Sequence, residues 1–162
     1  MNKLLIILIT ILFVSHINAK ADDDTSRISV NAGVFAPYTL DATMAYERAT
    51  GYGHSWVVQI EAGTHWQTPV CHMFWKKKFW GGGLGYRHRL VKLKNSNFRI
   101  GGDVNVGSFA QKVTVGFDIL FEYNYTFKNN WQFSVSQKDA FNFLHDVDTF
   151  RNGLMIGLKI PL

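Results

Sequence analysis

A single cysteine, Cys71, stands in 162 residues, so no disulfide framework within the chain can staple the fold. Charge is scarce as well: 18% of residues are Asp, Glu, Lys or Arg, against about 25% in an ordinary soluble domain. A surface bathed in water would normally carry more. Neither sign dominates, since the net charge of +5 falls to +3 once Met1 to Ala21, which holds Lys3, Lys20 and no acid, is set aside. Nucleic-acid binding leaves a stronger basic footprint, so none is expected. Beyond residue 21 no apolar run is long enough to span a bilayer as a helix. A membrane location must therefore rest on a closed barrel, the other way to satisfy backbone groups in lipid.

What the chain does have is aromatic residues, 15% of the total, and 14 glycines. It also has an N-terminal segment that reads as an export signal. Asn2 and Lys3 give a short positive start, Leu4 to Val14 is continuously apolar, and Ala19-Lys20-Ala21 supplies an A-x-A cleavage pattern. Cleavage is expected after Ala21, with Ala19 as the competing site. Residues 1–21 are thus read as a signal peptide and 22–162 as one domain, led by the acidic Asp22-Asp23-Asp24.

Val113 to Phe127 is the most informative stretch. Its odd positions are Val113, Val115, Phe117, Ile119, Phe121, Tyr123, Tyr125 and Phe127, and between them lie Thr114, Gly116, Asp118, Leu120, Glu122, Asn124 and Thr126. Successive strand side chains point to opposite faces, so this is one long strand with a greasy face and a polar one. The polar face carries small residues and two carboxylates that need partners. The greasy face ends in an aromatic cluster of the kind found where lipid tails meet headgroups. Lipid outside and a packed polar lumen inside fit that pattern.

The same alternation recurs in strands expected over Arg27 to Ala36, Thr39 to Ala49, Ser55 to His65, Phe79 to Leu90, Phe98 to Gly107, Val113 to Phe127, Trp131 to Lys138 and Thr149 to Leu162. Trp66 to Lys78 and Asp139 to Asp148 read as the long irregular links. Eight strands, an even number, predict an all-β, antiparallel, up-and-down transmembrane β-barrel of the outer membrane with both termini in the periplasm. The links after strands two, four and six (Thr50 to His54, Val91 to Asn97, Lys128 to Asn130) should be short periplasmic turns. Those after strands three and seven should be outward loops, while those after strands one and five are short.

The smaller face collects Asp41, Glu47, Glu61, Asp103, Asp118 and Glu122 with Arg87, Arg99, Lys138 and Lys159. An eight-stranded barrel is wide enough only for its own side chains. Near balance of signs then predicts a salt-bridged plug and not a conducting pore. At the rims, Trp75, Lys76, Lys77, Lys78 and Trp80, together with Tyr123, Tyr125 and Trp131, are expected to anchor strand ends among lipid headgroups.

Four patterns hint at chemistry and each has a plainer explanation. Cys71-His72 with His65 has neither C-x-x-C nor H-E-x-x-H spacing, so a loop tip is preferred to a metal site. Phe74-Trp75-Lys76-Lys77-Lys78-Phe79-Trp80 has the ingredients to stack bases, but suits a rim anchor better. Gly81-Gly82-Gly83-x-Gly85 lacks the Lys-Ser/Thr of a phosphate loop. His145-Asp146 with Ser134 or Ser136 has the ingredients of a hydrolase, yet both serines fall on the inward face and no motif surrounds them. No catalytic, cofactor or metal site is therefore expected, and no small-molecule ligand is indicated.

In the order of its elements the chain resembles the TraO family, encoded by conjugative transposons of Bacteroidetes. The likeness lies in Trp56 to Glu61, the aromatic glycine strand Phe79 to Tyr86, the paired strands from Phe117 to Gln137, and Val147-Asp148-Thr149-Phe150 leading to Gly157-Leu158-Lys159-Ile160. The resemblance implies a structural, non-enzymatic outer-membrane component of a DNA-transfer apparatus, with lipid and other conjugation or envelope proteins as partners. A lipid A-modifying (deacylase-like) barrel, a soluble ligand-binding barrel and a small channel are the alternatives.

Overall fold

Period-two alternation of apolar and polar residues makes flat strands whose two faces demand different surroundings, and closing the sheet on itself supplies both. The computed structural model describes residues 25–36, 39–51, 53–66, 75–109, 112–143 and 149–162. Its eight strands are β1 (Arg27–Ala36), β2 (Thr39–Gly51), β3 (His54–Trp66), β4 (Trp75–Lys92), β5 (Ser96–Phe109), β6 (Lys112–Thr126), β7 (Gln132–Phe143) and β8 (Phe150–Pro161). Each pairs antiparallel with the next, and β1 pairs with β8, so the barrel is closed and no edge is left open. The signal segment, its cleavage site and the acidic lead lie outside the described residues.

Arg27 sits opposite Pro161, which puts the two ends of the barrel chain at one end of the cylinder, here the terminal end. Stepping across paired residues from Ala36 through Asn152, Asp139, Ile119, Gly102, Tyr86 and Trp56 leads to Arg48, one residue past Glu47, the partner of Arg27, and so level with Ser26, a stagger of ten residues. A stagger of that size in an eight-stranded barrel tilts the strands by ~40°.

The β6–β7 link, at the terminal end, is a tight turn. Asn130 takes a φ of 65°, and its N–H donates to the Phe127 carbonyl at 3.0 Å while Phe127 N–H reaches the Trp131 carbonyl at 2.8 Å. Asparagine tolerates this left-handed geometry better than most side chains.

Two expected boundaries are corrected. Strand β4 starts at Trp75, so the basic run expected to belong to an irregular link is already paired to β3, with Lys78 opposite Thr64. Strand β7 continues to Phe143, five residues past its expected end, because Asp139 pairs with Ile119 and Asn152, and Phe141 with Phe117 and Phe150.

The faces are inverted relative to a soluble protein. Outward positions include Trp80 at 67% exposed, Leu154 at 64% and Ile60 at 62%, whereas Lys159 and Asp103 are each 1% exposed. Phe117 and Phe121 face outward, while Asp118 and Glu122, the residue following each, are buried.

Candidate functional site

The interior is a column of charged side chains joined across the barrel. Toward the terminal end, Arg99 on β5 donates from Nε to Glu122 Oε2 at 2.7 Å and from Nη2 to Glu47 Oε2 on β2 at 3.0 Å. Lys159 on β8 stands against both carboxylates, 2.6 Å from Glu122 Oε1 and in contact with Glu47. Ser55 accepts a further bond from Arg99 at 3.2 Å, and Asn124 donates to Glu122 at 3.0 Å. Two acids and two bases are thereby neutralised with most of their hydrogen-bonding capacity used. That completeness is the condition for tolerating buried charge.

In the middle layer Arg87 on β4 forks onto Asp103 on β5, with Nη2 to Oδ2 at 2.8 Å. The carboxylate lies over Gly85, where an added Cβ would run into its oxygen, so the glycine is what lets this pair lie flat against the wall. Gln59 donates to Asp103 at 3.2 Å and to Asn105 at 3.0 Å, and Asn105 in turn donates to Asp118. Above it Lys138 on β7 gathers three carboxylates: Glu61 in contact, Asp118 at 3.0 Å and Asp41 at 3.9 Å. β7 and β3 are diametrically opposed in the strand order, so the Lys138–Glu61 pair crosses the lumen. Arg151 reaches Glu61 at 3.4 Å.

The far layer is aromatic. Phe35, Phe79 and Phe109 are buried inside the barrel, and the Arg151 guanidinium lies 4.5 Å from the Phe79 ring centre and 5.6 Å from that of Phe35. A cation over ring faces is favourable, more so where water is excluded. The rings fit because Gly63 and Gly153 face them: a Cβ on Gly63 would collide with Phe79, and one on Gly153 with Phe35. Two inward-facing cavities among the described residues are small, about 40 Å³ beside Glu61, Asp118 and Arg151 and about 20 Å³ beside Arg87 and Leu120. Each holds a few waters at most.

All the charged residues read from the inner face are thus buried, and each carboxylate among them lies within 4 Å of a cation. Arg151 belongs to the set too and shares the inward parity of Lys159, the signal that would have found it. The three buried phenylalanines were not anticipated, because an aromatic residue at an inward position looks misplaced until the glycines opposite are known.

Among the rim residues, Trp80 projects outward toward the end away from the termini, paired with Ala62 and Ser108. Lys78 is exposed one outward position further on, and Trp75, Lys76 and Lys77 are the first residues of β4. Tyr123, Tyr125 and Trp131 sit at the terminal end. There, Phe98 packs on Tyr123 with ring centres 5.0 Å apart, Tyr125 on Phe127 at 5.3 Å, and Trp56 on Tyr86 at 5.1 Å. This end also opens into a recess of about 310 Å³ lined in part by Arg27, Lys92, Lys94 and Lys128.

The hydrolase alternative drew on Ser134 and Ser136. Both are buried in the lumen, at 1% and 6% exposed, and the Ser134 hydroxyl donates to Asn31 at 3.3 Å. Neither reaches the outer face, where a lipid substrate would lie. His145 and Asp146 lie outside the described residues, as do Cys71 and His72. Among the described residues no three His, Cys, Asp or Glu side chains are grouped to hold a metal ion.

No family model matches the chain, and no curated protein matches it either. Solved structures do. The outer membrane enzyme PagL superposes with a TM-score of 0.56 at 10% identity, over 84% of this chain and 99% of PagL. Neisserial surface protein A (NspA) superposes at 0.55 and 11% identity, over 89% of this chain and all of NspA. The designed barrel TMB2.3 reaches 0.50 at 12% identity, over 86% of this chain and 94% of its own. The chain has the fold of a small eight-stranded outer-membrane β-barrel. At such identities the likeness is one of fold. Hosting both an enzyme and a surface protein, that fold leaves activity to be argued from the residues.

Proposed function

We propose that the chain is exported, loses residues 1–21 and resides in the outer membrane as a sealed, non-enzymatic barrel that serves as a structural part of an envelope assembly. The observation that carries this is the inversion of the faces: Trp80, Ile60 and Leu154 outward, Lys159, Asp103 and Lys138 in the buried interior. In water such a molecule would expose its greasy face, which disfavours the soluble ligand-binding alternative. Rings at both ends of the wall and the basic residues at the terminal end suit an aromatic girdle beside anionic headgroups. Cross-lumen pairs through Arg99 and Lys138 leave little room for ions, which disfavours a channel. The inward position of Ser134 and Ser136 disfavours lipid hydrolysis through either of them.

A place in a conjugative DNA-transfer machine is the finer reading, and its support is the TraO-like order of elements from Trp56 to Ile160. Fractionation of cells expressing the full chain tests the coarser one. The mature protein, shortened by residues 1–21, should appear in outer membranes, need detergent for release, and give no single-channel steps in planar bilayers. Release by osmotic shock without detergent would overturn the location, and regular conductance steps would overturn the sealed lumen. Deleting the gene in a donor strain should lower transfer frequency if the conjugative role is right, and leave it unchanged if it is wrong.

A further inference from the structure

One part of the outer wall breaks the apolar pattern. Gln137 and Asp139 on β7 and Asn152 on β8 are all at outward positions, with Gln137 exposed and the other two half-buried. Asp139 and Asn152 lie directly opposite each other across the strand pair, and Asn152 Nδ2 donates to Asp139 Oδ1. Apolar residues surround the three. Phe141 and Phe150, with ring centres 5.0 Å apart, lie on the side away from the termini; Ile119 and Phe121 flank β7, Ala36 lies beside Asn152, and Leu154 is toward the termini. Elsewhere between the two rims, the described outward positions are aliphatic, aromatic or glycine.

A carboxyl group turned toward hydrocarbon is disfavoured unless other groups complete its hydrogen bonds. Asn152 serves one oxygen of Asp139. The second oxygen of Asp139, the remaining amide hydrogen of Asn152 and the Gln137 amide have no partner among the described residues. Building on the membrane location proposed above, we infer that Gln137, Asp139 and Asn152 form the centre of a two-fold contact between two copies of this chain in the membrane. The chemistry is self-complementary: each copy offers amide N–H donors from Gln137 and Asn152 and an acceptor in Asp139. A two-fold axis parallel to the barrel axis sets β7 of one copy against β8 of the other. Donors then meet acceptors twice over, as an isologous contact requires. The surrounding rings and aliphatic side chains seal the polar centre from lipid, so its hydrogen bonds gain strength from low dielectric.

Disulfide trapping in native outer membranes tests this, in a Cys71→Ser background. Phe141→Cys, beside the polar centre, should give a cross-linked homodimer on oxidation, and Val58→Cys on the far wall should give none. Adding Gln137→Leu, Asp139→Leu and Asn152→Leu to the Phe141→Cys chain should abolish the dimer. Should that variant fail to fold, sedimentation of the unaltered chain in mild detergent decides the point: a dimeric mass supports the contact, a monomeric mass overturns it. A monomer in the membrane fraction refutes the contact alone, whereas a chain soluble without detergent refutes the location. An adduct between Phe141→Cys and a different protein would replace the second copy by another membrane partner.

Discussion

Lys138 and Asp139 are neighbours on β7, yet they occupy opposite worlds. Lys138 points inward and is held by Glu61, Asp118 and Asp41, contributed by three other strands. Asp139 points outward and, among the described residues, meets the Asn152 amide and no cation. The lumen settles its charges with partners from the same chain because closure brings every strand to the same axis. The outer wall has no such recourse, since neighbouring strands offer it only the residues flanking a single ladder. A polar group outside therefore has to be satisfied locally or by another molecule, and a polar group inside by the fold itself.

Removing one member of the inner network is the strongest way to expose that difference. Lys138→Met leaves three carboxylates in a closed space around an apolar side chain. Breaking a buried ion pair in this manner costs about 3–5 kcal/mol. Urea unfolding of the refolded barrel in lipid vesicles should show that loss, and adding Glu61→Gln should recover part of it, since the two residues share one interaction. A loss below about 1 kcal/mol, the range of an exposed pair, would mean that water reaches the site.

Arg99→Lys keeps the charge and removes the fork. One guanidinium serves Glu47, Glu122 and Ser55 at once, which a compact ammonium cannot copy. The loss of hydrogen bonds to charged groups is expected to cost about 1.5–3 kcal/mol in the same unfolding assay. An unchanged midpoint would show that Lys159 alone suffices to hold the two carboxylates.

The inner wall was largely legible in the sequence because strict alternation survives there. Asp118 and Glu122 share a parity with Thr114 and Asn124, and one parity assignment orients the whole of β6. The outer island escapes that rule. Lys138-Asp139 puts charges on both faces in succession, which looks like the end of a strand, so the sequence from Asp139 onward reads as a link although it continues β7 to Phe143. The run Trp75 to Lys78 has the look of an irregular link for a similar reason, although it already pairs with β3. Phe35 and Phe79 carry a different lesson. Their inward position depends on Gly153 and Gly63 from other strands, and no local window contains both partners. An order of aromatic and glycine elements, meanwhile, is common to small barrels in general, so the TraO resemblance has less to hold it than the fold does.

The aromatic layer offers an intermediate test. Gly153→Ala places a methyl group against the Phe35 ring, which is held between Arg151 and Lys138 and has little room to move. Overpacking of this sort is expected to cost about 1–3 kcal/mol. The methyl group would also stand 2.5 Å from the Val34 carbonyl oxygen, which no side-chain change relieves. Gly153→Ala should therefore cost less in a Phe35→Ala background than in the unaltered chain while still costing something; an equal cost in both would mean that the carbonyl contact alone carries the loss.

The smallest effect is expected one residue from the largest. Asp139→Asn keeps the shape of the side chain, removes its charge, and retains an oxygen that can accept from Asn152. Because no inner partner depends on it, the stability of a single barrel in detergent should shift by no more than about 0.5 kcal/mol, the range of a surface substitution. The measurement is the same urea midpoint used for Lys138→Met, so the two variants bracket what one step along β7 is worth. A loss comparable to that of Lys138→Met would mean that Asp139 is tied to the inner network through the wall, and the division between the two faces of the barrel would have to be abandoned.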